Sequence, residues 1–330
     1  MLSTNSDAMT TSNAETWQVV SVQSRHLDGI RALFRKVFGN ELSPAHWHWK
    51  YGKGRGHGVV VLEDQDVVAF FGGTERRVIF DGYPLVAIQC GDSMVEPGRR
   101  GILTRKGPFY LSVTAFLGKW VGDGLPYLLT YGFPNERAMR LAERLDLYAE
   151  VGTMLQLKWQ PEPGSNCRAE DLDFSDSRHQ QLINKLWLQM ADEFSNRAIG
   201  VRDFNYIKQR FHENPTLDYK FDLVFNPDSS SPLGLLVTRK TEKDLLLVDI
   251  VARAEQFGTL VNFARHRAFS VGAGKLYGWL TDIDYPLVES TAPNTDDAPL
   301  RLPLGVYSPG LRAEDVRDKW FFMCGDSDFL

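Results

Sequence analysis

The sequence predicts a mixed α/β protein of two domains, each a mostly antiparallel twisted sheet flanked by helices. Three observations carry this. The chain has 330 residues, long for one ordinary domain and comfortable for two. Between about residues 58 and 95 strand-like runs follow one another with only turns between them, where a doubly wound fold would alternate strand and helix. The second half then repeats the order of the first in degenerate form. A hydrophobic fraction of 43% and a charged fraction of 24% suit a globular chain.

Residues 1–15 are polar, lack an apolar signal core and read as a flexible tail. Trp17 to Val22 alternates as a first strand. Leu27 to Phe38 places Ile30, Leu33, Phe34, Val37 and Phe38 at helical spacing, and Gly39 ends that helix. Ser43 and Pro44 open a short second helix that carries His46, Trp47, His48, Trp49, Lys50 and Tyr51. Two histidines at i, i+2 do not share a helix face, so no metal site is expected. Gly52 to Gly58 is glycine-rich and basic and reads as a flexible loop. Gly58 to Leu62 and Val67 to Gly72 form a hairpin, and Arg76 to Phe80 a further strand.

The stretch from Leu85 to Phe109 organises the rest. An apolar-rich run from Leu85 to Val95 reads as a strand, stopped by Pro97 and Gly98. A basic turn follows, then a segment that can become helical from about Leu103, with Gly107 and Pro108 disturbing its first turns. Strand, basic glycine turn and helix start together can hold a phosphate, because the first N–H groups of a helix lack internal partners and its dipole adds positive charge. Arg99, Arg100, Arg105 and Lys106 supply charge, and Gly101 lets the backbone approach an anion. Leu125 to Tyr131 is the next strand. Pro134 then starts a helix with Ala138, Leu141, Ala142 and Leu145 as its apolar stripe.

The run V-E-P-G-R-R-G-I-L-T-R, Val95 to Arg105, resembles the acyl-CoA-binding motif of the GNAT acyltransferases. Leu103 and Arg105 stand where small residues are usual there. The run from Tyr131 to Tyr148 resembles the second signature of that family at Asn135, Ala138 and Leu141. Ala142 replaces the tyrosine that often protonates the leaving thiolate, with Tyr148 or Tyr131 as substitutes. The resemblance implies an acyl-CoA co-substrate, most simply acetyl-CoA, held by Met94, Val95, Arg99, Arg100, Gly101, Ile102, Leu103, Thr104, Arg105, Asn135 and Ala138. It also makes Trp47, Trp49 and Tyr51 candidates for an acceptor pocket, beside the plain reading that each packs in the core.

Acyl transfer to an amine needs a polarised carbonyl and a group to take the amine proton. Asp92, an acid inside an apolar run, and Glu75 on the neighbouring strand are the candidates, with Tyr148 for the leaving sulfur. Asp92 also reads as a structural carboxylate, because Asp249 repeats its position in a half without the basic turn. The implied activity is acetyl transfer to a primary amine of a small polar molecule, an amino sugar being one such acceptor. The eroded motif positions leave a second reading, a non-catalytic module that binds acyl-CoA or a partner.

The first domain is expected over residues 16–160, a Pro- and Gly-rich linker over 161–172, and a GNAT-like domain without a CoA turn over 173–330. There Leu182 to Phe194 and Arg202 to Phe211 echo the first two helices. Tyr219 to Phe225, Leu233 to Thr238 and Leu245 to Val251 are strands. A helix near Leu260 to Ala268, a strand from Lys275 to Leu280 and a helix after Asp284 complete the pattern. The tail from Trp320 to Leu330 reads as a packed strand with an acidic end, although some tandem GNAT enzymes bring their terminus into the active site. A net charge of −5 argues against nucleic acid as a partner. Three cysteines without metal spacing suggest a reducing, cytoplasmic setting. No apolar run is long enough to span a membrane.

Overall fold

A computed structural model of the chain describes residues 17–296 and 299–327. The first half runs β1 (Gln18–Ser21), α1 (Leu27–Phe38), α2 (Pro44–Tyr51), β2 (Gly56–Glu63), β3 (Asp66–Phe80), β4 (Tyr83–Val95), α3 (Pro108–Trp120), β5 (Leu129–Gly132) and α4 (Glu136–Arg144). The second runs β6 (Tyr148–Trp159), β7 (Arg168–Asp171), α5 (Ser177–Glu193), β8 (Ala198–Gly200), α6 (Phe204–Ile207), β9 (Lys220–Phe225), β10 (Pro232–Lys240) and β11 (Leu245–Ala252). It ends with α7 (Phe257–Ser270), β12 (Leu276–Thr281), β13 (Asn294–Thr295), β14 (Leu300–Gly305), α8 (Ala313–Val316) and β15 (Trp320–Phe321).

Two sheets form, both mostly antiparallel. The first has the order β1-β2-β3-β4-β5, with β8 also paired to β3 and β15 to β8. The second has the order β13-β6-β12-β11-β10-β9-β7, with β14 also on β6. In the first sheet α1 and α2 cover one face, where Ile30, Leu33 and Tyr51 pack with Val60, Phe70 and Met94. On the other face α3 and α4 bring Val113, Phe116 and Ala142 against Val59, Phe71 and Ile88. The pleat of β3 makes this possible, since Phe70 and Phe71 point to opposite faces.

Local chemistry sets the element ends. Gly39 closes α1 at φ 76°, a conformation that costs glycine little. Ser43 accepts the N–H of His46 at 3.1 Å and caps α2. Asn135 likewise accepts from Ala138 N at 2.9 Å, so α4 starts at Glu136 and not at Pro134. The helix after the basic turn starts at Pro108 and not near Leu103. Proline has no N–H to donate and suits the first turn, and a Cβ on Gly107 would lie 2.0 Å from the Ile102 carbonyl, so residues 101–107 fold back as a tight loop.

Other expectations differ from the structure. The runs 67–72 and 76–80 are one strand, β3. Its Gly72 and Gly73 do not break it; they admit Tyr51 and Phe116, whose atoms lie 2.4 and 2.6 Å from where a Cβ would sit. The segment after Asp284 forms short 3-10 turns, Asp282–Leu287 and Glu289–Thr291, because Pro286 interrupts it. Gly56, His57 and Gly58 begin β2 and are not loop. The stretch 161–172 contains β7.

The sheets exchange strands between the halves of the sequence. β6, which precedes the expected linker, lies in the second sheet, while β8 and β15 from the later half extend the first. A buried ionic network locks this exchange. Arg202 donates through Nε to Asp249 at 3.0 Å and also binds Asp326, and Arg76 reaches Asp326 at 3.1 Å. The side chains of Arg202, Asp249 and Asp326 have no solvent exposure. Burial raises the Asp249 carboxyl above its ordinary range, opposed by the Arg202 charge. Arg202→Met should therefore lower the unfolding free energy by about 3–5 kcal/mol, since it leaves two buried carboxylates without their shared cation. Urea unfolding measures this, and a loss under about 1 kcal/mol would show that the network does not hold the halves together.

Candidate acyl-CoA and acceptor site

The site starts from where two strands stop pairing. β4 and β5 run parallel from Ala87↔Leu129 to Cys90↔Gly132, and β4 continues to Val95 without β5. Opposite this point β3 and β4 lose register between Phe70 and Gly72. Two β4 residues, Asp92 and Ser93, there face one on β3, which is a bulge. Asp92 takes φ 50°, a left-handed conformation that Asp tolerates better than most residues.

The bulge turns Asp92 toward α2. Its Oδ2 accepts from the Tyr51 hydroxyl at 2.6 Å and pairs with Lys50 Nζ at 2.9 Å. Oδ1 makes no hydrogen bond among the described residues. Tyr51 is laid flat over Gly56 and Gly72 and stacks on Trp47 at 4.4 Å. Trp49 lies elsewhere, donating through Nε1 to the Gln209 carbonyl at 2.7 Å across the halves. A cleft of about 440 Å³ opens there, lined among others by Trp49, Lys50, Arg55, Arg76, Tyr206 and Arg210. Of the three aromatic candidates, then, Trp49 lines the cleft, Tyr51 holds Asp92 and Trp47 backs Tyr51.

Glu75 lies at the margin of this cleft, but its carboxylate accepts from the Tyr127 hydroxyl, a residue of the α3 side. Tyr148 opens β6 and is half-buried on that same side with Cys90. Burial holds its phenol well above the ordinary range and pushes the Cys90 thiol up to about 12. Ala142 is fully buried, so α4 presents no acid there. Tyr131 turns to the other face, its hydroxyl 3.3 Å from Gln89 Oε1.

Beyond the bulge the basic turn divides its charges. Arg99 pairs with Glu63 at 2.6 Å and Arg105 with Asp146 at 2.7 Å, which fastens the loop at both ends. Arg100 donates to the Val95 carbonyl at 3.0 Å, and neither it nor Lys106 has a carboxylate partner among the described residues. A Cβ on Gly101 would meet nothing within 4 Å, so no protein atom requires glycine there. Leu103 is exposed, Ile102 half-buried, and Met94 is buried in the α1 core. Thr104 Oγ1 accepts from Lys106 N at 3.3 Å. Phe109 and Tyr110 head α3 with N–H groups that have no acceptor within the helix. An exposed glycine between two cations without carboxylate partners among the described residues, before a helix N-terminus, fits a diphosphate.

The fold has known counterparts among solved structures. A probable N-acyltransferase from Enterococcus faecalis matches with a TM-score of 0.65 at 13% identity, over 88% of this chain and 72% of that one. The fold is that of the GNAT acyltransferases. A GCN5-related N-acetyltransferase from Anabaena variabilis gives 0.65 at 12% identity, over 88% of this chain and 73% of the other. The Saccharomyces cerevisiae N-myristoyltransferase with bound myristoyl-CoA gives 0.57 at 12% identity, over 95% and 89%. No family model and no curated protein matches the sequence.

β4 carries Asp92 and leads into the expected turn, and Tyr51 reaches Asp92 from α2, which makes one neighbourhood. Lys50 and Arg76, which the sequence reading passed over as charged partners of the site, also border it. Residues 328–330, the end of the tail considered for the active site, lie outside the described residues. No group of His, Cys, Asp and Glu that could hold a metal occurs among the described residues, and none of their helices is long and apolar enough to cross a membrane. Tyr51→Phe should lower stability by about 1.5–3 kcal/mol, the scale of a hydrogen bond to a charged group. Urea unfolding reads this, and a change within about 0.5 kcal/mol would show that solvent replaces the hydroxyl.

Proposed function

We propose that the protein is an acyl-CoA-dependent N-acyltransferase that transfers an acetyl group to a primary amine of a small polar acceptor, with an amino sugar as one candidate. The observation that carries this reading is the gap between β4 and β5, flanked by a basic turn at one end and by Asp92 at its root. The turn binds the diphosphate through Arg100, Lys106 and the first N–H groups of α3. Met94 and Val95, on the part of β4 that lacks β5, offer backbone groups to an extended pantetheine arm. The acceptor occupies the cleft between the halves.

The amine nitrogen attacks the thioester carbonyl carbon, and the C–S bond breaks. The amine proton passes to Asp92 Oδ1, directly or through one water, while Lys50 and Tyr51 fix the other oxygen. The sulfur leaves as thiolate and takes a proton from solvent or from Tyr148. An acyl-CoA-binding module without turnover is the second reading, favoured by the alanine at 142 and the high pKa of Tyr148.

Calorimetric titration with acetyl-CoA and longer acyl-CoAs tests the binding half. Arg100→Glu should weaken binding by roughly tenfold to a hundredfold, the value of one charge-assisted hydrogen bond. Equal affinity in wild type and variant would remove the diphosphate from this turn. Asp92→Asn tests the chemical half. With an acceptor found by screening primary amines, it should keep acetyl-CoA affinity and lower kcat by about 10²–10⁴. Tight acyl-CoA binding with no turnover of any amine would favour the module.

A further inference from the structure

A second cavity, of about 330 Å³, lies where β1 ends and leaves β2 as an open edge. Trp47, Tyr51 and Trp120 wall it, and Gly56, His57 and Gly58 at the start of β2 also line it. None of its lining residues is an Asp, Glu, Lys or Arg.

His57 is held in one tautomer. The Tyr127 hydroxyl gives its single proton to Glu75 Oε1, because a carboxylate only accepts. The contact of 2.7 Å between Tyr127 Oη and His57 Nε2 must then be donated by His57. Nε2 therefore carries the proton and Nδ1 a bare lone pair. Burial lowers the pKa of this ring, with Lys119 adding to the effect against Glu75, so it is neutral at neutral pH. The ring stacks on Trp120 at 5.0 Å and 20°, which fixes its plane. Nδ1 makes no hydrogen bond among the described residues and is not among their enclosed unpartnered atoms.

We propose that this cavity is a binding site, separate from the acceptor cleft, for a small neutral molecule with a flat apolar body and one hydrogen-bond donor, which His57 Nδ1 accepts. The walls supply stacking surface. The Glu75–Tyr127 pair keeps the acceptor nitrogen aimed, as a carboxylate orients an imidazole in other sites. The lining carries no charge of its own, and the Lys119 ammonium beside it is engaged by Ser21 Oγ at 2.6 Å and the Trp120 ring, so a neutral ligand suits it better than an ionic one.

Indole and 1-methylindole serve as probes, since they differ in the N–H donor alone. Titration of the full chain, followed by tryptophan fluorescence and calorimetry, should give indole about fivefold tighter than 1-methylindole, the value of one neutral hydrogen bond. His57→Phe, which keeps a ring against Trp120, should reduce that preference to within about twofold. In wild-type protein with ¹⁵N-labelled histidine, indole but not 1-methylindole should move the Nδ1 resonance of His57, a readout that does not depend on any variant folding. Equal affinity for the two probes, an unmoved Nδ1 resonance, or no binding of either up to its solubility limit would overturn the proposal.

Discussion

Parallel pairing that stops short is the constraint on which the rest of this structure depends. Adjacent strands satisfy each other's backbone N–H and C=O groups, and a strand that outruns its partner must find them elsewhere. Both sheets contain such an overrun. β4 outruns β5 after Cys90, and β11 outruns β12 after Leu247↔Gly278. The second case is closed by the chain itself. Thr281 N–H donates to the Phe322 carbonyl at 3.1 Å, Leu280 bridges Met323, and Gly325 packs against Val248. Among the described residues the gap after Cys90 has no such filling, whereas the one in the second half is filled from within.

The two aspartates show the same division. Asp92 and Asp249 sit on corresponding strands, each beside a register shift. Each keeps one oxygen without a hydrogen bond among the described residues, but Asp249 is sealed against Arg202 with no exposure, whereas the Asp92 side chain keeps 14%. A carboxylate sealed from solvent beside a fixed cation serves the fold. One that keeps solvent contact leaves an oxygen that water can reach. Sequence position alone could not separate these outcomes, because they depend on Lys50 and Tyr51 in one case and on Arg202 in the other.

Much of the architecture was legible because it is local. The apolar spacing from Leu27 to Phe38 and the glycine after it fixed α1 to the residue. Asp92 stood out as an acid within an apolar run. What escaped notice depends on distant partners or on backbone shape. Lys50 looked like one more charge on a short helix until β4 brought Asp92 to it. His57 sat among glycines that read as loop, although those glycines clear space for Tyr51 and Phe70. The change of sheet at β6 leaves no mark on Tyr148 to Trp159, since a strand's own alternation does not say which sheet it joins.

The ion pair between Arg76 and Asp326 spans 250 residues of sequence, and β8 reaches β3 across more than a hundred. Contacts of such separation form only after long segments have been gathered, at an entropic cost that local contacts avoid. Each sheet can begin to assemble from neighbouring hairpins, but the cleft between them needs strands and charges supplied by both. The cleft is thus a late product of folding, while the turn that follows β4 draws on local sequence and can be in place early.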